Sequence, residues 1–211
     1  MKLRMALLVF FSSTYFFSQA QLQTKAQTKE PAQTIQLGLT GGLTFNNISG
    51  NGMSAKFKSS VYGGGYALLD ITSNLSIQPE VLYNSMSVAR SNFTTFYVDN
   101  SRADSKENFN VAYVSIPLLI NYKLFPKLTI NAGPQYNILV SSDENLMYNK
   151  QAFKNYDFGI RGGLQYAASP NISFFGSYYN GLSNVNNIDD RYKWITKQVQ
   201  IGINVALFNA K

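Results

Sequence analysis

The 211-residue chain contains no cysteine and no histidine. Those two absences exclude thiolate nucleophiles, disulfides, Ser-His-Asp relays and imidazole metal sites, so any enzyme built here would work with carboxylates, Lys or Tyr. No cofactor or metal is expected. Charge is also scarce, at 14% of residues, whereas soluble domains average about 25%. Beyond the first twenty residues no apolar run is long enough for a helical membrane span. The surplus of 18 Lys+Arg over 11 Asp+Glu is scattered, and without basic clusters interleaved with aromatics a nucleic-acid partner is not expected. Gly42 and the run Gly63 to Gly65 are not followed by helical patterns, so phosphate-loop readings fail.

What is present begins with an export pattern. Lys2 and Arg4 precede an apolar stretch from Met5 to Phe11, and Ser18 and Ala20 supply the small residues of a cleavage site. Residues 1–20 are therefore expected to be a signal peptide, with an uncleaved anchor helix as the alternative. Residues 21–34, rich in Gln and Thr, read as a disordered lead-in. From residue 35 to 208 the hydrophobic period is two. In residues 109–124, Ala112, Val114, Ile116, Leu118, Ile120 and Tyr122 alternate with positions that include Ser115, Asn121 and Lys123. The same alternation recurs in residues 128–138, 156–166 and 195–207. Four further strands are expected at residues 35–45, 60–71, 75–87 and 171–181. The faces of the second and seventh are blurred by Gly63 to Gly65 and by Phe174-Phe175, and Tyr66 and Asp70 in the second support no role.

The connections alternate strictly between short and long. Tight turns are expected near residues 72–74, 125–127 and 169–171, and long polar loops near 46–58, 88–108, 140–154 and 182–193. An all-β, eight-stranded antiparallel up-and-down meander places all four long loops at one end and both termini at the other. Period two alone does not say which face is inside. On the polar face only Glu80, Lys123, Asp157 and Arg161 are charged, and Gln, Asn, Ser, Thr and Gly fill most of the rest, which suits a hydrogen-bonded lumen better than a solvated exterior. Aromatics on the apolar face gather near strand ends: Phe45, Tyr83, Tyr136, Tyr156, Tyr178 and Trp194 toward the long loops, and Tyr122, Tyr166 and Phe208 toward the turns. That is the distribution of an interfacial girdle, and the expected fold is a transmembrane β-barrel. A soluble sandwich with an aromatic core is the alternative.

Residues 113–122 (YVSIPLLINY), preceded by residues 77–83 (IQPEVLY) and followed by Ala132 to Tyr136 (AGPQY) and Asp157-Phe158-Gly159, resemble the PorT-like outer-membrane β-barrel proteins of the Bacteroidetes. The resemblance covers residues 35–208 and implies a barrel in a Gram-negative outer membrane, in contact with its lipid and with the barrel-assembly machinery during insertion. It also implies a possible place in a secretion or envelope complex, since the namesake of the family is tied to cargo secretion. An aromatic of the kind used as an assembly signal stands at Phe208, three residues short of the C-terminus.

Within that barrel Glu80 and Arg161 are expected at similar depth on opposite walls, as a lumen charge pair that either gates a path or plugs the interior. Asp157 and Lys123 fall nearer the mouths and are expected to be solvated. The acidic pairs Asp143-Glu144 and Asp189-Asp190 in long loops are either solvated charge or weak sites for hard cations. Basic residues at the loop ends, Lys56, Lys58, Arg90, Lys150, Lys154, Arg191 and Lys193, could meet anionic headgroups. Pro79, Pro117 and Pro134 lie mid-strand, where a missing N–H is disfavoured. With symmetric loops Pro79 falls opposite Pro117, and Pro117 opposite Pro134, forming one row across three strands that interrupts the ladder at a single level. The functional expectation is a non-enzymatic barrel with a filled lumen whose long loops contact a partner or the cell surface. The alternative is a transport role, as a secretion component or a narrow porin.

Overall fold

Eight strands with apolar side chains on one face and neutral polar side chains on the other close into a single ring, so that no ladder edge is left open. The computed structural model describes residues 34–50, 57–89, 108–142, 153–187 and 190–210. The strands are β1 (Ile35–Ser49), β2 (Lys58–Asp70), β3 (Leu75–Ala89), β4 (Asn108–Phe125), β5 (Leu128–Ser142), β6 (Tyr156–Ala167), β7 (Ile172–Gly181) and β8 (Ile195–Ala210). Every neighbouring pair is antiparallel, and the ring closes where Ile35 of β1 pairs with Ala210 of β8. Both strand termini therefore lie at the end with the short turns. The Thr72 hydroxyl accepts from the backbone N–H groups of Asn74 and Leu75, Pro126-Lys127 forms a two-residue turn between Phe125 and Leu128, and the Ser169 hydroxyl accepts from Ile172 N–H. Pro at the first turn position and hydroxyls that mimic backbone acceptors account for all three tight reversals.

The apolar face points outward. Leu39, Val61, Ile120, Ile160, Leu164 and Ile201 are exposed on the barrel wall, while Thr44, Asn84, Ser115, Gln135, Gln198 and Gln200 are buried in the lumen. This arrangement is the inverse of a soluble domain and it excludes the sandwich alternative. The glycine-blurred strands resolve in phase with the rest: Tyr62 and Tyr66 of β2, and Phe175 and Tyr179 of β7, turn inward. Glycine makes room for these large rings in a narrow barrel, since a Cβ on Gly202 would collide with the Tyr62 hydroxyl and one on Gly159 with the Tyr179 ring.

The proline row differs from expectation by one residue. Pro79 stands opposite Leu118 and Pro117 opposite Gln135, so the direct oppositions of Pro79 with Pro117 and of Pro117 with Pro134 do not occur. Both centres lie half a residue further along than symmetric loops suggest: the turn at Pro126-Lys127 moves the first by a whole residue and the bulge between Lys123 and Phe125 returns half of that, while the second follows from the pairing of Ala89 with Asn108. A one-residue slip also exchanges faces: Pro117 is buried on the lumen side, whereas Pro134 is exposed and Pro79 half-buried. The three remain diagonal neighbours. Pairing lapses beside them, between Pro79 and Leu82 on β3 and between Pro117 and Ile120 on β4, at the level of Glu80.

Candidate functional site

The lumen is the only region where charged and polar side chains converge away from solvent among the described residues, and it divides into three levels. At mid-height Glu80 on β3 and Arg161 on β6 meet across the barrel, with Arg161 Nη1 2.8 Å from Glu80 Oε2 and both side chains 2% exposed. Neither strand is a neighbour of the other in the ring, so closure alone brings them together. Each charged group has a further hydrogen bond nearby. Gln78 Nε2 donates to Glu80 Oε1 at 2.6 Å, Asn121 Nδ2 donates to Gln78 Oε1, and Arg161 Nε donates to Ser177 Oγ. The guanidinium carbon also lies 5.5 Å from the centre of the Phe175 ring, whose edge meets Tyr62. A buried ion pair is strengthened by further hydrogen bonds to its two groups, and here Gln78, itself held by Asn121, supplies one to the carboxylate and Ser177 accepts one from the guanidinium. Sequence reasoning placed Glu80 and Arg161 at this depth but did not single out Gln78, Ser177 or Phe175. The phase of their strands was the available signal.

Above this level lies Asp157, which is buried rather than solvated, correcting the expectation drawn from its distance to the strand end. Tyr179 Oη donates to Asp157 Oδ2 at 2.9 Å, Asn137 Nδ2 donates to the same oxygen, and Ser183 Oγ donates to Oδ1 at 2.7 Å. The cause is the segment after β7. Leu182 and Ser183 fold back on β6, donating their N–H groups to Phe158 O, and so cover the carboxylate. Lys123, by contrast, is exposed at the other mouth as expected.

The long-loop end is closed by an apolar cluster. Trp194, Phe153, Val185, Ile48, Met86 and Val111 are all at most 2% exposed, and the Phe153 and Trp194 rings lie 5.6 Å apart. Asn184 orients this cluster by accepting from the N–H groups of Trp194 and Asn186. Trp194 thus belongs to the seal and not to the outward girdle in which its position suggested it. Tyr83, Tyr136, Tyr156 and Tyr178 do face outward there, and Tyr122, Tyr166 and Phe208 do so near the turns. At the turn end the lumen widens into a cavity of about 240 Å³, open to the outside and lined by polar groups.

Of the loop charges, Asp190 pairs with Lys154 at 3.1 Å on the surface. Asp143, Glu144, Asp189, Lys56, Arg90 and Lys150 lie outside the described residues. No group of three potential metal-ligating side chains occurs among the described residues.

A family model described as "Outer membrane protein beta-barrel domain" matches residues 19–187. The chain belongs to this family. It is an outer-membrane protein of eight antiparallel strands, and in such barrels short turns face the periplasm and long loops the exterior. The vestibule is then periplasmic and the apolar seal external. Among solved structures, Neisserial surface protein A (NspA) is 12% identical with a TM-score of 0.50, covering 81% of this chain and 97% of that one. OprG from Pseudomonas aeruginosa is also 12% identical with a TM-score of 0.50, covering 84% and 97%. At such identity these likenesses speak for the fold alone. No curated protein matches by sequence.

Proposed function

We propose that this outer-membrane barrel is a non-enzymatic protein whose filled lumen serves as a rigid support for its long external loops, and that those loops contact a partner or the cell surface. The observation that carries this reading is the double closure of the interior, by the Glu80–Arg161 network at mid-height and by the Trp194 cluster at the outer end. Eight strands enclose a space that side chains can fill, and a path for bulk diffusion would need both closures removed. The ion pair accordingly acts as a structural plug. Residues 1–20 are proposed as the cleaved signal peptide, residues 21–34 as a disordered lead-in, and the barrel-assembly machinery as the partner during insertion.

The second reading, a PorT-like component of a secretion complex, is favoured by the motifs at residues 77–83 and 113–122, and such a component also needs no open lumen. Cross-linking in intact outer membranes followed by identification of the captured proteins separates the two. A surface or envelope partner linked through the long loops is expected for the first, and a co-purifying secretion assembly for the second. Single-channel conductance in planar bilayers tests the closure: discrete openings by the unmodified protein would overturn the plug reading.

A further inference from the structure

We infer that the periplasmic vestibule is a binding site for a short zwitterionic peptide of two or three residues. The cavity at the turn end is about 240 Å³, below the roughly 300–1,000 Å³ of pockets that take drug-sized ligands. Because the mid-lumen network and the outer seal close the other two levels, its sole access among the described residues is from the turn side.

The charges on its rim are separated rather than paired. Asp70 lies opposite Ser76 on the β2–β3 ladder, and Ser76 in turn lies opposite Asn121 on β4, the strand that carries Lys123. Lys127 follows in the adjoining turn. All three charged groups line the cavity, and none takes part in an ion pair among the described residues. The strands that carry Asp70 and Lys123 are two spacings apart, about 10 Å between backbones, with Lys123 two residues beyond Asn121 toward the turn that holds Lys127. An extended chain of three residues spans about 10 Å, so its terminal ammonium and carboxylate can face Asp70 and the lysines together.

The wall between the two charge poles suits a peptide backbone. Ser76 of β3 stands between the poles, and Asn121 and Thr129 line the cavity beyond it; Asn121 Oδ1 has no hydrogen-bond partner among the described residues and is left to accept from a ligand N–H, while Leu68, Leu75 and Ile172 add apolar surface. A simple anion would leave Asp70 as a repulsive element, and a simple cation would meet the same penalty from Lys123 and Lys127. Only a ligand with both charges at separated ends is matched by all three. The site is independent of the role proposed for the external loops.

Trialanine is the probe, titrated into the isotope-labelled full chain in lipid nanodiscs while amide signals are followed by NMR. Saturable shifts confined to the vestibule, at Asp70, Ser76, Asn121, Thr129 and Gln165, are expected. N-acetylation of the probe should weaken binding about threefold, the scale of an exposed ion pair, and Asp70→Asn should weaken trialanine equally while leaving the acetylated probe unaffected. C-terminal amidation and Lys123→Gln with Lys127→Gln should form the matching pair at the other pole. These rim positions are outside the packed lumen, and heat-modifiable migration checks that each variant is folded. Absence of saturable shifts, equal binding of free and doubly capped trialanine, or shifts at the long-loop end would each overturn the proposal.

Discussion

The two ends of the lumen are built from the same alternating strands yet finish in opposite ways. At the outer end, chain that follows β7 and precedes β8 folds inward, and Phe153, Val185 and Trp194 exclude water above Asp157. At the periplasmic end the connections are tight turns with no residues to spare, and Asp70, Lys123 and Lys127 remain in an open cavity. Loop length thus decides whether a mouth is sealed, because only a long connection can bring apolar side chains back over the axis. Between the ends, the Glu80–Arg161 pair belongs to neither and joins opposite walls.

The comparison predicts a gradient of sensitivity to substitution, steepest in the middle of the lumen. Arg161→Ala leaves Glu80 as an unpaired buried charge and is expected to cost about 4 kcal/mol. Glu80→Gln combined with Arg161→Met should recover most of that loss, as read from urea unfolding in lipid vesicles. If the single and double variants were equally destabilised, the pair would not be what binds the walls. Trp194→Ala opens the outer seal and should cost about 3 kcal/mol, the lower range for deleting a buried aromatic, measured by the temperature at which the fast-migrating gel form disappears. Ser183→Ala removes one of the hydrogen bonds to the Asp157 carboxylate and should cost about 1.5 kcal/mol. The cost should be visible as a red shift of the single tryptophan, Trp194, at urea concentrations below global unfolding. Lys127→Ala at the open end should stay within about 0.5 kcal/mol by the same urea measurement, and a larger effect would show that this mouth is packed after all. Protease added to intact cells should cut within residues 88–108 and spare Lys127, and cleavage at Lys127 would reverse the assignment of the two ends.

Much of this is legible in the order of residues. Alternation located six strands with their faces, turn and loop composition bounded β2 and β7, whose alternation is blurred, and the scarcity of charge on the polar face turned that face inward, since a neutral amide finds partners in a lumen while a solvated exterior calls for charge. Glu80 and Arg161 could be matched because depth along a strand is counted from a turn. The same counting failed for Pro79, Pro117 and Pro134 by a single residue: the pairing centre of a hairpin depends on which residues make the turn and on any bulge beside it, here between Lys123 and Phe125, and composition resolves neither. It failed for Asp157 and Trp194 for a different reason. Their burial is set by what folds over the barrel mouth, and a polar loop carries no period from which its path could be read.

The sequence by itself determined the closed eight-stranded wall, its inverted polarity, the ends at which long and short connections lie, and the two charges that meet inside. Each of these follows from local spacing, either a period of two or a count from a turn, and local spacing is written directly in the order of residues. Only the tertiary structure decided that the outer mouth is sealed by Trp194 and its neighbours, that Asp157 lies beneath the chain following β7, that Pro79 stands opposite Leu118 and Pro117 opposite Gln135, and that Asp70 stands apart from Lys123 around an open cavity. These depend on contacts between segments far apart in the chain, whose geometry appears once the ring closes and every side chain competes for the same narrow interior.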